Sequence, residues 1–208
     1  MRGSLTTLLC MTACVLALNS KNAAAAPFDY LPLAQSARIR PGPAMLATYT
    51  LACIEPRQSV ATGRAWRSKL LIRPSIAWQY VDMGVEAGAK VALSMFYSQV
   101  DWNPYIKLGV GQRSPLAVAM LLDLEIKRRD DTFDFAPRVT AVASYTIRNT
   151  ALYAAGDLTI RDDIQNWGAE LGMEIDVSQH FSIVGEARIA VSQYWKSYVA
   201  GIGSLFHF

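Results

Sequence analysis

Histidine and cysteine are almost missing from this chain, with two of the first and three of the second among 208 residues. So few soft or imidazole ligands leave no His/Cys cluster for a metal site, and none is expected. Cys10 and Cys14 fall inside an N-terminal leader, so Cys53 stands alone after processing and cannot form an intramolecular disulfide. A long apolar run is missing as well. The longest, residues 3–18, covers about 16 residues where a membrane-spanning helix needs about 20. There is no excess of one charge: without Arg2 and Lys21, 18 basic residues face 17 acidic ones, a net of +1, which excludes a nucleic-acid footprint. Low-complexity linkers and phosphate-cradling glycine loops are absent too, and no cofactor is expected.

What is present begins with targeting. Met1-Arg2 supplies a short positive start, the apolar run follows, and Ala23-Ala24-Ala25 gives the small residues of a cleavage site. Residues 1–25 are therefore expected to be a signal peptide cut after Ala25. Met11-Thr12-Ala13-Cys14 offers a degenerate lipobox as the alternative, but the apolar run continues past Cys14. Residues 26–42, with Pro27, Pro32 and Pro41, read as an extended periplasmic lead-in, either an unstructured tail or a dock for a periplasmic partner. Residues 43–208 form one domain.

That domain consists of ten segments in which apolar and polar residues alternate with the period of a β-strand. Residues 65–80 put Trp66, Leu70, Ile72, Ile76 and Trp78 on one face and Arg67, Lys69 and Arg73 on the other. Around residues 83–97, Val85, Ala87, Val91 and Leu93 oppose Glu86 and Lys90, and around 116–127 Leu116, Val118, Met120 and Leu122 oppose Asp123, Glu125 and Lys127. Residues 167–177 sort Trp167, Leu171, Met173 and Ile175 from Glu170, Glu174 and Asp176. A helix would scatter these charges around its circumference; a strand sorts them. The remaining segments place Lys107, Arg138, Arg148, Asp157, Arg161, Glu186 and Arg188 on the polar face.

The fold class expected is an all-β, antiparallel up-and-down barrel of about ten strands, with eight as the alternative if segments near the N-terminus merge. Connections run about ten, two, five, two, seven, two, four, three and five residues, alternating long and short as the two rims of a transmembrane barrel do. Residues 128–134 and Asp101-Trp102 are assigned to the long loops. An even strand count puts both termini on the short-turn side, in the periplasm. A soluble barrel has the same alternation. Aromatic residues near both ends of the apolar face, Trp66, Tyr97, Phe133, Phe135, Trp167 and Tyr198 toward one and Trp78, Tyr80, Tyr145, Phe181 and Phe206 toward the other, favour a membrane barrel with two interfacial girdles.

The final strand carries Tyr198, Ala200, Ile202, Phe206 and a terminal Phe208 at every second position, with Ser204 a mild departure. In this the chain resembles the small bacterial outer-membrane β-barrel proteins. The resemblance implies an integral outer-membrane location, contact with lipid and lipopolysaccharide, and recognition of Tyr198, Ile202, Phe206 and Phe208 by the outer-membrane assembly machinery.

The expected lumen holds Arg67, Lys69, Arg73, Lys90, Lys107, Lys127, Arg138, Arg148, Arg161 and Arg188 against Glu86, Asp123, Glu125, Asp157, Glu170, Glu174, Asp176 and Glu186. Buried charge is costly unless paired, so these groups are expected to form ladders that plug and stiffen the barrel, giving a structural or envelope-accessory role. A narrow channel for small polar or ionic solutes is the alternative, because residues 65–110 are basic inside and residues 167–177 acidic. An accessory role in surface-polymer export is a further alternative. An enzyme is not expected. Barrel hydrolases acting on lipid A rely on a histidine near the outer half. Here His180 falls in a short turn and His207 is penultimate, and although His180-Phe181-Ser182 resembles a His-x-Ser motif, Ile183 replaces the flanking Asn. The charged loop residues Arg128 and Arg129 suit lipopolysaccharide phosphates.

Overall fold

The computed structural model describes residues 36–56, 65–94, 100–129, 132–161, 164–192 and 195–208. The expected signal peptide lies outside the described residues. The ten alternating segments form β1 (Gly42–Pro56), β2 (Ala65–Tyr80), β3 (Met83–Ser94), β4 (Val100–Val110), β5 (Leu116–Arg129), β6 (Thr132–Ile147), β7 (Thr150–Arg161), β8 (Ile164–Ser178), β9 (Phe181–Val191) and β10 (Trp195–His207). Each pairs antiparallel with its neighbours in sequence, and β1 pairs with β10, so the sheet closes and has no free edge. The count is ten, and the eight-stranded alternative is set aside.

Register fixes the barrel's width. A walk perpendicular to the strands runs from Gly42 through Ala77, Glu86, Lys107, Leu121, Thr140, Asp157, Gly168, Ala190 and Ser197. It returns to β1 at Ile54. That is a stagger of about 12 residues over ten strands, which tilts the strands by roughly 40° and sets the backbone radius near ~10 Å. A tube of that width is lined by long side chains with little space left over.

Polarity alone misjudged where strands stop. The expected loop at residues 128–134 gives way to strand at both ends, because Arg128 and Arg129 pair with Phe133 and Thr132. Trp102, expected in a long loop, sits on β4 with its ring outward. The β4–β5 ladder passes from Trp102–Ile126 to Tyr105–Asp123, skipping the proline that has no N–H to give. Strand ends follow backbone pairing, which continues beyond the apolar band, so the clean alternation of long and short connections does not hold: the β4–β5 turn spans residues 111–115.

One rim carries the connections after β2, β4, β6 and β8, called here the turn rim. Val81 and Arg148 open two of these turns with φ of 55° and 56°, the left-handed geometry that matches hairpin twist. The Asp82 carboxylate braces the next turn, accepting from the Gly111 N–H at 3.1 Å and the Arg113 N–H at 2.9 Å. The chain enters β1 and leaves β10 at this rim, where the Phe208 N–H donates to Pro43 O at 3.0 Å.

Candidate functional site

The largest fully buried side chains among the described residues include Arg73, Arg138, Lys90 and Lys107, while Trp66, Trp78, Trp102, Phe135, Tyr145 and Trp167 are exposed on the outer face. Trp66, Trp102, Phe135, Trp167 and Tyr198 ring one rim and Trp78, Tyr80, Tyr145, Phe206 and Phe208 the other. With strand rise and tilt as above, the belts stand roughly 25 Å apart. Charge inside and hydrocarbon outside invert a soluble protein, and a closed barrel leaves no unpaired edge to meet lipid. This chain is a β-barrel of the outer-membrane type.

No protein-family profile matches the chain, and no curated protein matches it. Among solved structures, the KdgM porin is 9% identical, with 79% of this chain and 99% of that one covered and a TM-score of 0.49. The NanC porin is 11% identical, covering 80% and 100%, at 0.49. An outer membrane channel from Pseudomonas putida F1 is 8% identical, covering 89% and 100%, at 0.47.

The lumen is an ordered set of ion pairs. Several of its closest contacts do not run between neighbouring strands. They skip one. Lys90 on β3 meets Asp123 on β5 at 2.5 Å. Arg73 on β2 donates to the Tyr105 hydroxyl on β4 at 2.7 Å, and that hydroxyl donates to Glu86 Oε1 at 2.5 Å. Tyr153 on β7 donates to Glu186 on β9 at 2.5 Å, and Arg188 on β9 holds Asp157 on β7 at 2.9 Å. The cause is tilt: with a stagger of about 12, two inward residues at equal height lie two strands apart. In three cases the strand passed over contributes a glycine. A Cβ on Gly88 would strike Tyr105, one on Gly168 would strike Asp157 and Arg188, and one on Gly172 would strike Tyr153. These glycines are floors beneath bridges.

The wall from β2 to β4 brings Lys69, Arg73, Lys90 and Lys107 inward, and the wall opposite, on β8 and β9, brings Glu170, Glu174 and Glu186. In a ring of ten, β3 and β8 face each other across the lumen. Neither wall is of a single sign: Glu86 binds Arg73 at 2.9 Å and approaches Lys107 to 3.6 Å, and Arg188 stands among the acids. Arg138 lies 3.7 Å from Asp123 and 3.9 Å from Glu125 and donates to Thr159 Oγ1 at 3.0 Å. Arg67 and Asp176 are half-buried toward the two mouths. The side chains of Lys127 and Arg161 lie outside the described residues. Arg148 does not join the lumen: it is exposed in the β6–β7 turn, where its positive φ interrupts the alternation that assigned it inward. Tyr198, Ile202, Phe206 and Phe208 point outward.

Sequence reasoning, which sets Tyr153 on the inward face with Asp157, missed Tyr105 and the segment at the turn-rim mouth. Tyr105 is in phase with Lys107, a signal that was there to read. Residues 36–40, within the expected lead-in, turn back into the barrel. Lys107 Nζ donates to Ser36 O at 2.7 Å, Ser36 Oγ donates to Glu174 at 2.7 Å, and Arg40 binds Glu174 at 3.2 Å and also Asp176. The Ile39 N–H donates to Gln112 Oε1 at 2.6 Å. A cavity of about 20 Å³ remains beside this strap, bordered by Arg40, Ser75, Glu86, Glu174 and His207, room for about one water. The two histidines stand at this rim, His180 in the β8–β9 turn and His207 at the end of β10, with His180 Nδ1 3.2 Å from His207 O. Among the described residues no group of three His, Cys, Asp or Glu could hold a metal.

Proposed function

We infer that this barrel is a narrow outer-membrane conduit for small polar or ionic solutes, closed in this conformation, with its turn rim in the periplasm. One observation carries the reading. Inward polar atoms with no protein hydrogen-bond partner stand at several heights: Ser144 Oγ near the turn rim, Thr48 Oγ1 and Thr140 Oγ1 at mid-height, and Ser197 Oγ and both side-chain polar atoms of Asn103 toward the other rim. Buried hydroxyls and amides are almost always hydrogen-bonded, so polar groups left over at several heights between opposed charged walls suit a hydrated solute. A lumen meant only as a rigid plug has no use for polar groups left without partners.

A passive structural barrel is the second reading, favoured by the dryness of Lys90 and Asp123, neither side chain of which reaches solvent. Planar-bilayer recording of the refolded protein separates the two. Discrete current steps are expected, with a reversal potential in a salt gradient that moves toward anion preference in Glu170→Gln/Glu186→Gln. Flat traces from the wild type and from a variant lacking residues 36–40 would establish the passive barrel instead.

A further inference from the structure

The wall of the turn-rim mouth holds a socket shaped to the chain's own strap. Gly84 on β3 and Gly109 on β4 are direct register partners, so together they leave a patch without side chains. Ile39 fills it: a Cβ on Gly84 would come within 2.8 Å of Ile39 Cβ, and one on Gly109 within 3.0 Å of Ile39 Cδ1 and 3.2 Å of Ala37 O. Gln112, in the β4–β5 turn, then grips the strap backbone at two points. Its Oε1 accepts from the Ile39 N–H at 2.6 Å, and its Nε2 donates to Ala37 O at 3.2 Å. Beyond the socket, Ala37 packs against Ala117, Ala119, Val142 and Tyr153. Two separate devices, an apolar seat for one side chain and an amide clamp on the backbone, therefore hold the same few residues.

The strap differs from everything else in the lumen in one respect. Among the described residues the other charged lumen groups are built into strands whose ladders fix them, whereas residues 36–40 belong to no strand and lead into β1 through Pro41 and Gly42. Withdrawing them would break no ladder. It would uncover Lys107, Glu86 and Glu174, all at the level where the strap now crosses. We propose that the Gly84–Gly109–Gln112 socket is an intramolecular binding site and that residues 36–40 are a displaceable gate seated in it. This rests on the conduit reading. Seated, the strap occupies the mouth with its backbone carbonyls capping Lys107; released, it exposes a mouth lined by one cation and two carboxylates.

The test uses the refolded chain with its native cysteines replaced by serine, in planar bilayers. Ile39→Gly/Arg40→Ala loosens the strap and leaves the wall untouched, and is expected to raise mean current at least tenfold over the parent. A second variant, Ile39→Cys/Gly84→Cys, locks the strap when oxidised; the strap must retreat slightly, since a disulfide wants about 3.5–4.5 Å between Cβ atoms. Its current is expected to be lowest when oxidised and to rise on adding dithiothreitol. Maleimide labelling of Ser36→Cys reports strap release independently of current, and is expected to be slow in the parent and fast in the loosened form. Equal currents in all forms, with labelling that differs, would overturn the gate and leave the conduit standing. Zero current in every form, with fast labelling of the loosened one, would remove the conduit and the gate with it.

Discussion

Arg188 on β9 holds Asp157 on β7 at 2.9 Å by reaching across β8, where Gly168 leaves the space for the bridge. The arrangement is an inward version of close packing: the charge pair needs a floor without a side chain, and the strand between supplies one.

Gly168→Ala is therefore expected to break this bridge although it adds a single methyl group. The new Cβ would overlap the Asp157 carboxylate and stand 2.7 Å from Arg188 Nη2, so both groups must move. A loss of about 2–4 kcal/mol follows from overpacking together with a weakened buried pair. Urea unfolding of the refolded barrel in micelles, followed by tryptophan fluorescence, measures it; a midpoint equal to wild type would show that the bridge carries no weight.

Asp123 serves two cations, Lys90 at 2.5 Å and Arg138 at 3.7 Å. Asp123→Ala leaves both without this carboxylate inside the lumen, and is expected to cost about 3–5 kcal/mol. Replacing Lys90 by Met in the same chain should recover part of that loss, because one charge then no longer needs a partner. A double-mutant cycle with additive losses would contradict the pairing.

Tyr105→Phe removes one hydroxyl that accepts from Arg73 and donates to Glu86. The direct Arg73–Glu86 contact at 2.9 Å survives, so the expected cost is lower, about 1–3 kcal/mol. The same unfolding assay reads it, and a cost as large as that of Asp123→Ala would mean that the hydroxyl organises more of the lumen than its two bonds.

Val81 is a β-branched residue at φ 55°, where Asn or Gly is comfortable. Val81→Asn is expected to stabilise by about 1 kcal/mol, the usual scale of left-handed strain, and to speed refolding of the β2–β3 hairpin. An unchanged unfolding midpoint would show that the turn absorbs the strain at no cost.

Much of this barrel was legible in advance. The inward positions of Arg73, Lys90, Lys107, Asp123, Arg138 and Glu186 follow from counting by two, because a strand's faces are a local property of the backbone. Arg148 shows the limit of counting, since a turn with positive φ resets the phase. Residues 128–134 show another: polarity marks where the bilayer ends, whereas hydrogen bonding decides where the strand ends. Residues 36–40 carried no signal of their own, for an Ala-Arg-Ile-Arg segment before a proline reads equally as a tail or as a filling.

By itself, the sequence determined the strand type, the number of strands, the sorting of charge from hydrocarbon and the aromatic belts, all of which depend on residues a few positions apart. Only the tertiary structure decided which charge meets which, that Gly84 and Gly109 make a seat for Ile39, and that the strap lies inside the mouth. The physical reason is the stagger. Closure offset by about 12 residues sets lumen width and brings residues two strands apart to one height, and that offset belongs to the closed ring and to no single strand.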